Sequence, residues 1–152
     1  MAQIDKPKLL FVDDDRYFTD RYVSHLSKSF SVRQVQYASD VLAAIESDSD
    51  IRLLILDIMM PTPDGVAASA TDDGMDTGLW LVQEATQLIA EKHLPVLLYT
   101  NRKDIDVIKE RLESIGVPSE LTRVCVKRRV GASDLPDVAT KFLRDSLNAG
   151  VS

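Results

Sequence analysis

The sequence predicts a doubly wound α/β fold, a five-stranded parallel sheet with five helices covering its two faces. Short apolar runs of strand length, Leu9 to Val12, Leu53 to Leu56 and Val96 to Tyr99, each stop at a polar residue. Amphipathic segments of helical period lie between them. Strict alternation of strand and helix implies right-handed crossovers, and therefore parallel neighbours in a sheet buried on both sides.

Leu9 to Val12 is apolar throughout, as a strand buried on both faces must be. Asp13, Asp14 and Asp15 come next, suited to a helix N-terminus, and from Tyr17 to Ser29 the residues Tyr22, Leu26 and Phe30 recur at helical spacing. Val32 to Tyr37 is a second, more polar strand with Val32 and Val35 as its apolar positions. Ser39 to Ser47 forms the second helix, capped by Ser39 or Asp40, with Val41, Leu42 and Ile45 on one face. Leu53 to Leu56 is the third strand and ends at Asp57. Between Met59 and Met75 both periodicities fail, and Pro61, Pro63, Gly65 and Gly74 mark a stretch too long for an ordinary connection.

Helical spacing returns over about Asp76 to Lys92, through Leu79, Val82, Leu88 and Ile89. Val96 to Tyr99 is the fourth strand, ending at Thr100. A fourth helix over about Lys103 to Ser114 carries Ile105, Ile108, Leu112 and Ile115 and stops at Gly116, with Pro118 beyond. Thr122 to Val126, rich in β-branched residues, is the fifth strand and leads into Lys127. The fifth helix is capped by Ser133 or Asp134, takes Pro136 in its first turn, and lines Leu135, Val138, Phe142, Leu143 and Leu147 along one side before Gly150.

A chain of 152 residues supports one core, so the expected organisation is a single domain over 1–152 with its core at about 8–148. Its make-up, 45% hydrophobic and 28% charged, excludes a disordered chain. A net charge of -6 argues against nucleic acid as a partner, the local cluster Lys127, Arg128 and Arg129 notwithstanding, and points to proteins. The single cysteine, Cys125, excludes a disulfide framework and a cysteine-based zinc cage. No apolar run reaches the roughly 18 residues of a membrane span, and Met1 to Lys8 lacks the apolar stretch of a secretory signal. The expected location is the cytoplasm, away from membranes.

In an open parallel sheet the ligand site lies beyond the carboxyl ends of the strands, where strand order reverses. Those ends carry Asp13, Asp14 and Asp15, then Asp57, Thr100 and Lys127. Three carboxylates gathered there repel one another by about 4 kcal/mol per pair at about 4 Å and an effective dielectric near 20, so the arrangement needs a cation. Oxygen ligands favour Mg²⁺. Asp57 then has the character of a nucleophile toward phosphorus, Lys127 balances charge on the transferring group, and the Thr100 hydroxyl is placed to bond an acyl phosphate. Each residue also has an ordinary explanation as a cap, a turn former or a solvated charge. One site accounts for all four strand ends together. His25 and His93 lack metal-ligand partners in the pattern and are assigned surface or packing roles, and Trp80 is assigned to the core or to a partner contact.

The segments Phe11-Val12-Asp13-Asp14-Asp15, Leu54-Ile55-Leu56-Asp57-Ile58-Met59-Met60-Pro61, Leu98-Tyr99-Thr100 and Val124-Cys125-Val126-Lys127, in that order and spacing, resemble the response-regulator receiver family of two-component signalling. The resemblance runs from Leu9 to Leu147 and is to the stand-alone, chemotaxis-regulator-like type. It implies a flavodoxin-like strand order 2-1-3-4-5, Asp57 as phosphoacceptor, and Mg²⁺ ligated by Asp14, Asp57 and the backbone carbonyl of Met59, with Asp13 acting through water. Thr100 and Lys127 would read the phosphorylated state. The implied partners are a histidine kinase or phosphotransfer protein and a downstream target protein. The implied chemistry is self-phosphorylation and slow self-dephosphorylation rather than conventional enzyme turnover.

Four departures from the family pattern stand out. Asn101 replaces a small residue beside Thr100, and Val124 replaces the aromatic residue often found in the fifth strand. Arg128 replaces the proline after Lys127, where a cis bond would cost about 2.5 to 4 kcal/mol without proline. The loop after Pro61 is roughly ten residues longer than usual, either because Gly74 to Leu79 is the displaced turn into the third helix or because Pro63-Asp64-Gly65 is that turn. These departures motivate an alternative, a pseudo-receiver interaction module acting without phosphorylation. A flavodoxin or nucleotide-binding enzyme is disfavoured, since Asp13, Asp14 and Asp15 stand where such sites place glycines and hydroxyls for phosphate.

Overall fold

The computed structural model describes residues 6–149. Residues 1–5 and 150–152, the latter including the expected helix stop at Gly150, and the side chains of residues 16–18 lie outside the described residues. Five parallel strands, β1 (Lys8–Val12), β2 (Ser31–Val35), β3 (Ile51–Leu56), β4 (Val96–Thr100) and β5 (Thr122–Val126), pair in the order β2-β1-β3-β4-β5. This is the expected doubly wound topology, and the order reverses between β1 and β3.

The apolar runs form central strands because both of their faces are covered, and alternate side chains enter two separate cores. Leu10, Val12, Leu54, Leu56, Val96 and Leu98 face one side, with Ile45, Val82, Ile89, Ile108 and Leu112 from the helices there. Leu9, Phe11, Leu53, Ile55, Leu97 and Tyr99 face the other, against Leu26, Leu135, Phe142 and Leu143. Each fully buried Leu or Val contributes about 1.5 to 3 kcal/mol. Edge strand β2 needs less cover, which is why Ser31, Arg33 and Gln34 are exposed there.

Among the described residues the helices are α1 (Arg16–Leu26), α2 (Val41–Ser47), α3 (Thr77–Glu84), α4 (Thr86–Lys92), α5 (Ile105–Ile115) and α6 (Leu135–Ala149), six rather than the five expected. The segment expected as one helix over about Asp76 to Lys92 is interrupted at Ala85, where ψ opens to 4°. The Thr86 hydroxyl donates to the carbonyls of Val82 (2.9 Å) and Gln83 (2.8 Å), competing with the backbone for the preceding turn. Neither Ser39 nor Asp40 caps α2 through its side chain. A single 3-10 turn, Ala38–Asp40, leads into it instead. Gly116 does end α5 as expected, at φ 91° with its N–H on the carbonyls of Leu112 and Glu113. Among the described residues no helix is long and apolar enough to cross a membrane.

Candidate functional site

The ladder hydrogen bonds continue one residue past the strand ends and so fix the residues just beyond them. Asp13 N–H donates to Val35 O (3.3 Å), Asp57 N–H to Val12 O (3.1 Å) and Lys127 N–H to Thr100 O (2.8 Å). Asp13, Asp14 and Asp57 thereby meet, each offering a carboxylate oxygen within 4.8 Å of the others. Lys127 Nζ lies 3.1 Å from Asp57 Oδ2 and 3.2 Å from Asp13 Oδ2. These four residues line a cleft of about 390 Å³ together with Asn101 and Arg128.

Electrostatics at the site are dominated by burial. Loss of solvent pushes the Asp57 carboxyl from an ordinary 3.8 up to about 6, with Asp13 adding to the rise and Lys127 opposing it. Asp14 is raised as well, by burial first and then by Asp13. For Lys127 burial acts downward, but the Asp57 and Asp13 carboxylates outweigh it and hold the ammonium above its usual range. Lys127 pairs with two of the three clustered carboxylates in a partly dry cleft where acids outnumber cations, an arrangement suited to a hard divalent cation with oxygen ligands.

Met59 is half-buried beside the cluster, and its N–H donates to Asp57 Oδ1 at 3.3 Å. Thr100 is fully buried and sits behind the cleft, its hydroxyl accepting the N–H of Arg102 at 3.1 Å. The structure therefore brings Asp13, Asp14, Asp57 and Lys127 together and holds Thr100 one layer back. Val124, half-buried, packs against the core at the place of the absent aromatic residue. Arg128 follows Lys127 through a trans bond, there being no cis peptide among the described residues.

The turn into α3 settles between the two alignments of the long loop. Gly78 packs so tightly on β3 that an added Cβ would fall 2.4 Å from Asp57 O and 2.7 Å from Ile58 Cα, and its N–H donates to Ile58 O at 2.8 Å. A Cβ at Gly65 would meet nothing within 4 Å. The displaced turn is Gly74 to Leu79.

Two sets of contacts at the site were not legible in the sequence, although the resemblance already places Arg102 beside it. Arg102 bridges the loops on either side of Asp57, pairing with Asp76 and Asp104 and donating to Met75 O at 3.0 Å. The other is an aromatic pair under Lys127: Nζ lies 5.5 Å from the Tyr99 ring centre and 5.9 Å from that of Tyr22. The one signal for it was a lone tyrosine in the otherwise aliphatic run before Thr100. A larger groove of about 1490 Å³ opens at the amino ends of the strands, far from the carboxylates. Among its cations Lys8 is paired with Asp48 and Lys92 donates to the Ile45 carbonyl at 2.8 Å, and the acidic cleft, with its gathered carboxylates, is the better candidate on its chemistry.

No protein-family model matches the chain, and no curated protein does. Solved structures do. A CheY-like response regulator receiver domain protein from Methanospirillum hungatei JF-1 superposes with a TM-score of 0.70 at 20% identity, over 95% of this chain and 99% of that one. An adenylate cyclase structure from Rhodopirellula baltica gives 0.70 at 19%, over 96% and 93%. The isolated REC domain of RcsB from Salmonella enterica serovar Typhimurium, solved with the phosphomimetic BeF3-, gives 0.62 at 15%, over 88% and 85%. At these identities the likeness is one of fold: five parallel strands in the order 2-1-3-4-5, as in CheY-like receivers.

Proposed function

We propose that this chain is a single receiver unit that accepts a phosphoryl group on Asp57, with Mg²⁺ held by Asp14, Asp57 and the Met59 carbonyl and with Asp13 beside it. The observation that carries the reading is the three-carboxylate cluster within 4.8 Å, with Lys127 3.1 Å from Asp57. Carboxylate oxygens in a cleft with too little positive charge are a fitting donor set for Mg²⁺. When bound, the ion offsets negative charge on the carboxylates and on the phosphoryl oxygens.

The chain's own groups supply the rest. A carboxylate oxygen of Asp57 forms the bond to phosphorus as the bond to the donor's histidine nitrogen breaks, and the imidazole leaves with the electron pair. The ammonium of Lys127, already on Asp57 Oδ2, is positioned to bond a phosphoryl oxygen. The Thr100 hydroxyl, which accepts the Arg102 N–H, donates its own hydrogen to the acyl phosphate, which couples the reaction to the loop before α5. A histidine kinase or phosphotransfer protein is the donor class, a downstream protein the reader, and the cytoplasm the location, where Cys125 stays reduced. The chemistry is confined to self-phosphorylation and slow self-dephosphorylation.

A second reading, a pseudo-receiver acting by constitutive protein binding, is favoured by one observation: Asn101 stands in the cleft wall. Intact mass after incubation with phosphoramidate and Mg²⁺ separates the two. The receiver reading expects a phosphate adduct that is absent in Asp57→Asn and in chelated samples. No adduct from that donor or from a panel of histidine kinases overturns the receiver reading and favours the pseudo-receiver.

A further inference from the structure

We propose that Tyr99 and Tyr22 form an aromatic bracket that positions the Lys127 ammonium for phosphoryl transfer, with the Tyr99 hydroxyl anchoring the turn that carries this lysine. The inference deepens the phosphoacceptor reading and rests on it.

Tyr99 is buried, 2% exposed, in the same core as Leu97 and Phe142. A phenylalanine would fill that place without needing a polar partner. The hydroxyl instead donates to Val130 O at 2.6 Å, across 31 residues of sequence. Val130 closes the turn after β5, where Arg129 N–H (2.9 Å) and Val130 N–H (3.1 Å) both reach Val126 O. Lys127 lies inside that turn. No proline restricts Lys127-Arg128-Arg129, so its path depends on hydrogen bonds: the Lys127 N–H on Thr100 O (2.8 Å) holds its start, and the Tyr99 hydroxyl adds the side-chain bond that holds its far end at Val130. Burial first, and then Tyr22, hold the Tyr99 phenol well above its ordinary range, so it remains a donor.

The ring faces act on the ammonium directly. Tyr22 meets Tyr99 edge-to-face, centres 5.4 Å apart at 88°, and lies against Phe11 with centres 5.9 Å apart and ring planes tilted by 34°. Two rings fixed in this way present negative faces to Lys127 Nζ, within the range of a cation–π contact. The ammonium therefore has both rings and two carboxylates, Asp13 and Asp57, as neighbours. A side chain with four rotatable bonds reaches Asp57 only if it is confined, and confinement is what the bracket provides. Tyr99 is a positioning residue in this scheme and touches no reacting atom.

The test is a double-mutant cycle on the rate of phosphate uptake from phosphoramidate with Mg²⁺, using Tyr99→Phe and Lys127→Met. Tyr99→Phe, which keeps the ring and removes only the anchor, is expected to slow uptake by at least about tenfold. In the Lys127→Met background the same change is expected to alter the rate by less than about twofold. A purely structural tyrosine gives equal losses in both backgrounds, and that result, or no loss in either, overturns the proposal. Tyr22→Leu repeats the comparison without touching the anchor. Should the wild type take up no phosphate, the receiver reading falls separately, and the bracket is then read from the Lys127 ε-methylene proton shifts. Upfield ring-current displacement lost in Tyr22→Leu supports it; ordinary lysine shifts in the wild type overturn it.

Discussion

Replacing Asp57 by asparagine is expected to stabilise the metal-free protein at neutral pH. The rise of the Asp57 carboxyl from 3.8 to about 6 means that the ionised group is less comfortable in the folded than in the unfolded chain. At about 1.4 kcal/mol for each tenfold change in proton affinity, the cost has a ceiling of about 3 kcal/mol above pH 6. That ceiling already counts the opposing attraction of Lys127, and asparagine, a neutral stand-in for the protonated carboxyl, recovers part of it, about 1 to 2 kcal/mol or a few degrees in Tm for a chain of this size. The sign of the pH dependence follows from the same shift. As pH falls from about 6 toward 3.8, the folded wild type takes up a proton that the unfolded chain does not, so the wild type recovers and the gap shrinks by up to about 2 kcal/mol. The assay is denaturant unfolding of both proteins in chelator at about pH 7.5 and about pH 4.5. A variant less stable than wild type at the higher pH, or a gap that does not change between the two, refutes the claim that burial of Asp57 charge governs the site.

Three further outcomes are expected. Saturating Mg²⁺ raises the Tm of the wild type, by about 2.7 kcal/mol of stability at a hundredfold excess over Kd, and Asp14→Ala removes most of the rise in a thermal-shift titration. Gly78→Ala, which drives a Cβ into the Asp57 carbonyl at 2.4 Å, lowers unfolding stability by about 2 kcal/mol or more. Arg102→Ala releases the loop partners Asp76 and Met75, and hydrogen exchange then accelerates across residues 59–76 while β1 and β3 stay protected.

The parts of the fold legible in the sequence are those governed by long-range burial. Leu9 to Val12 and Leu53 to Leu56 are apolar on both faces, a pattern with few uses besides a central parallel strand, and their ends located the acids. Local competition was harder to read. Thr86 looks like an ordinary surface position of a helix over about Asp76 to Lys92, and only its two short bonds to Val82 and Gln83 reveal why the helix breaks. Ser39 and Asp40 have the chemistry of caps, yet the chain enters α2 through a 3-10 turn that leaves their side chains unused. Lys127 was identified from its strand end, whereas Tyr22 and Tyr99 come from α1 and β4, and no one-dimensional spacing links them.

The long loop was ambiguous for a physical reason that the hydrogen bonds make plain. Met60 N–H donates to Gly74 O at 3.1 Å, and the Thr77 hydroxyl donates to Met60 O at 2.6 Å, so the chain leaves and re-enters the domain at nearly one point. Within the excursion, the Thr62 and Thr71 hydroxyls pair at 2.7 Å, and Thr71, fully buried, accepts the N–H groups of Gly74 and Asp76 on its carbonyl. Such a loop supplies its own partners and asks nothing of the sheet, and each doubling of loop length adds only about 0.6 kcal/mol of closure entropy. Residues 61–73 are thus free of the constraints that mark β3 or α3 in the sequence, and both Gly65 and Gly78 look equally suited to start a helix. The constraint that separates them is steric and non-local: only at Gly78 does the Asp57 backbone come within 2.4 Å of where a side chain would begin. The residue that seats α3 against the acidic cleft is therefore fixed by Asp57 itself, which is why the insertion lengthens the loop without moving the cluster it borders.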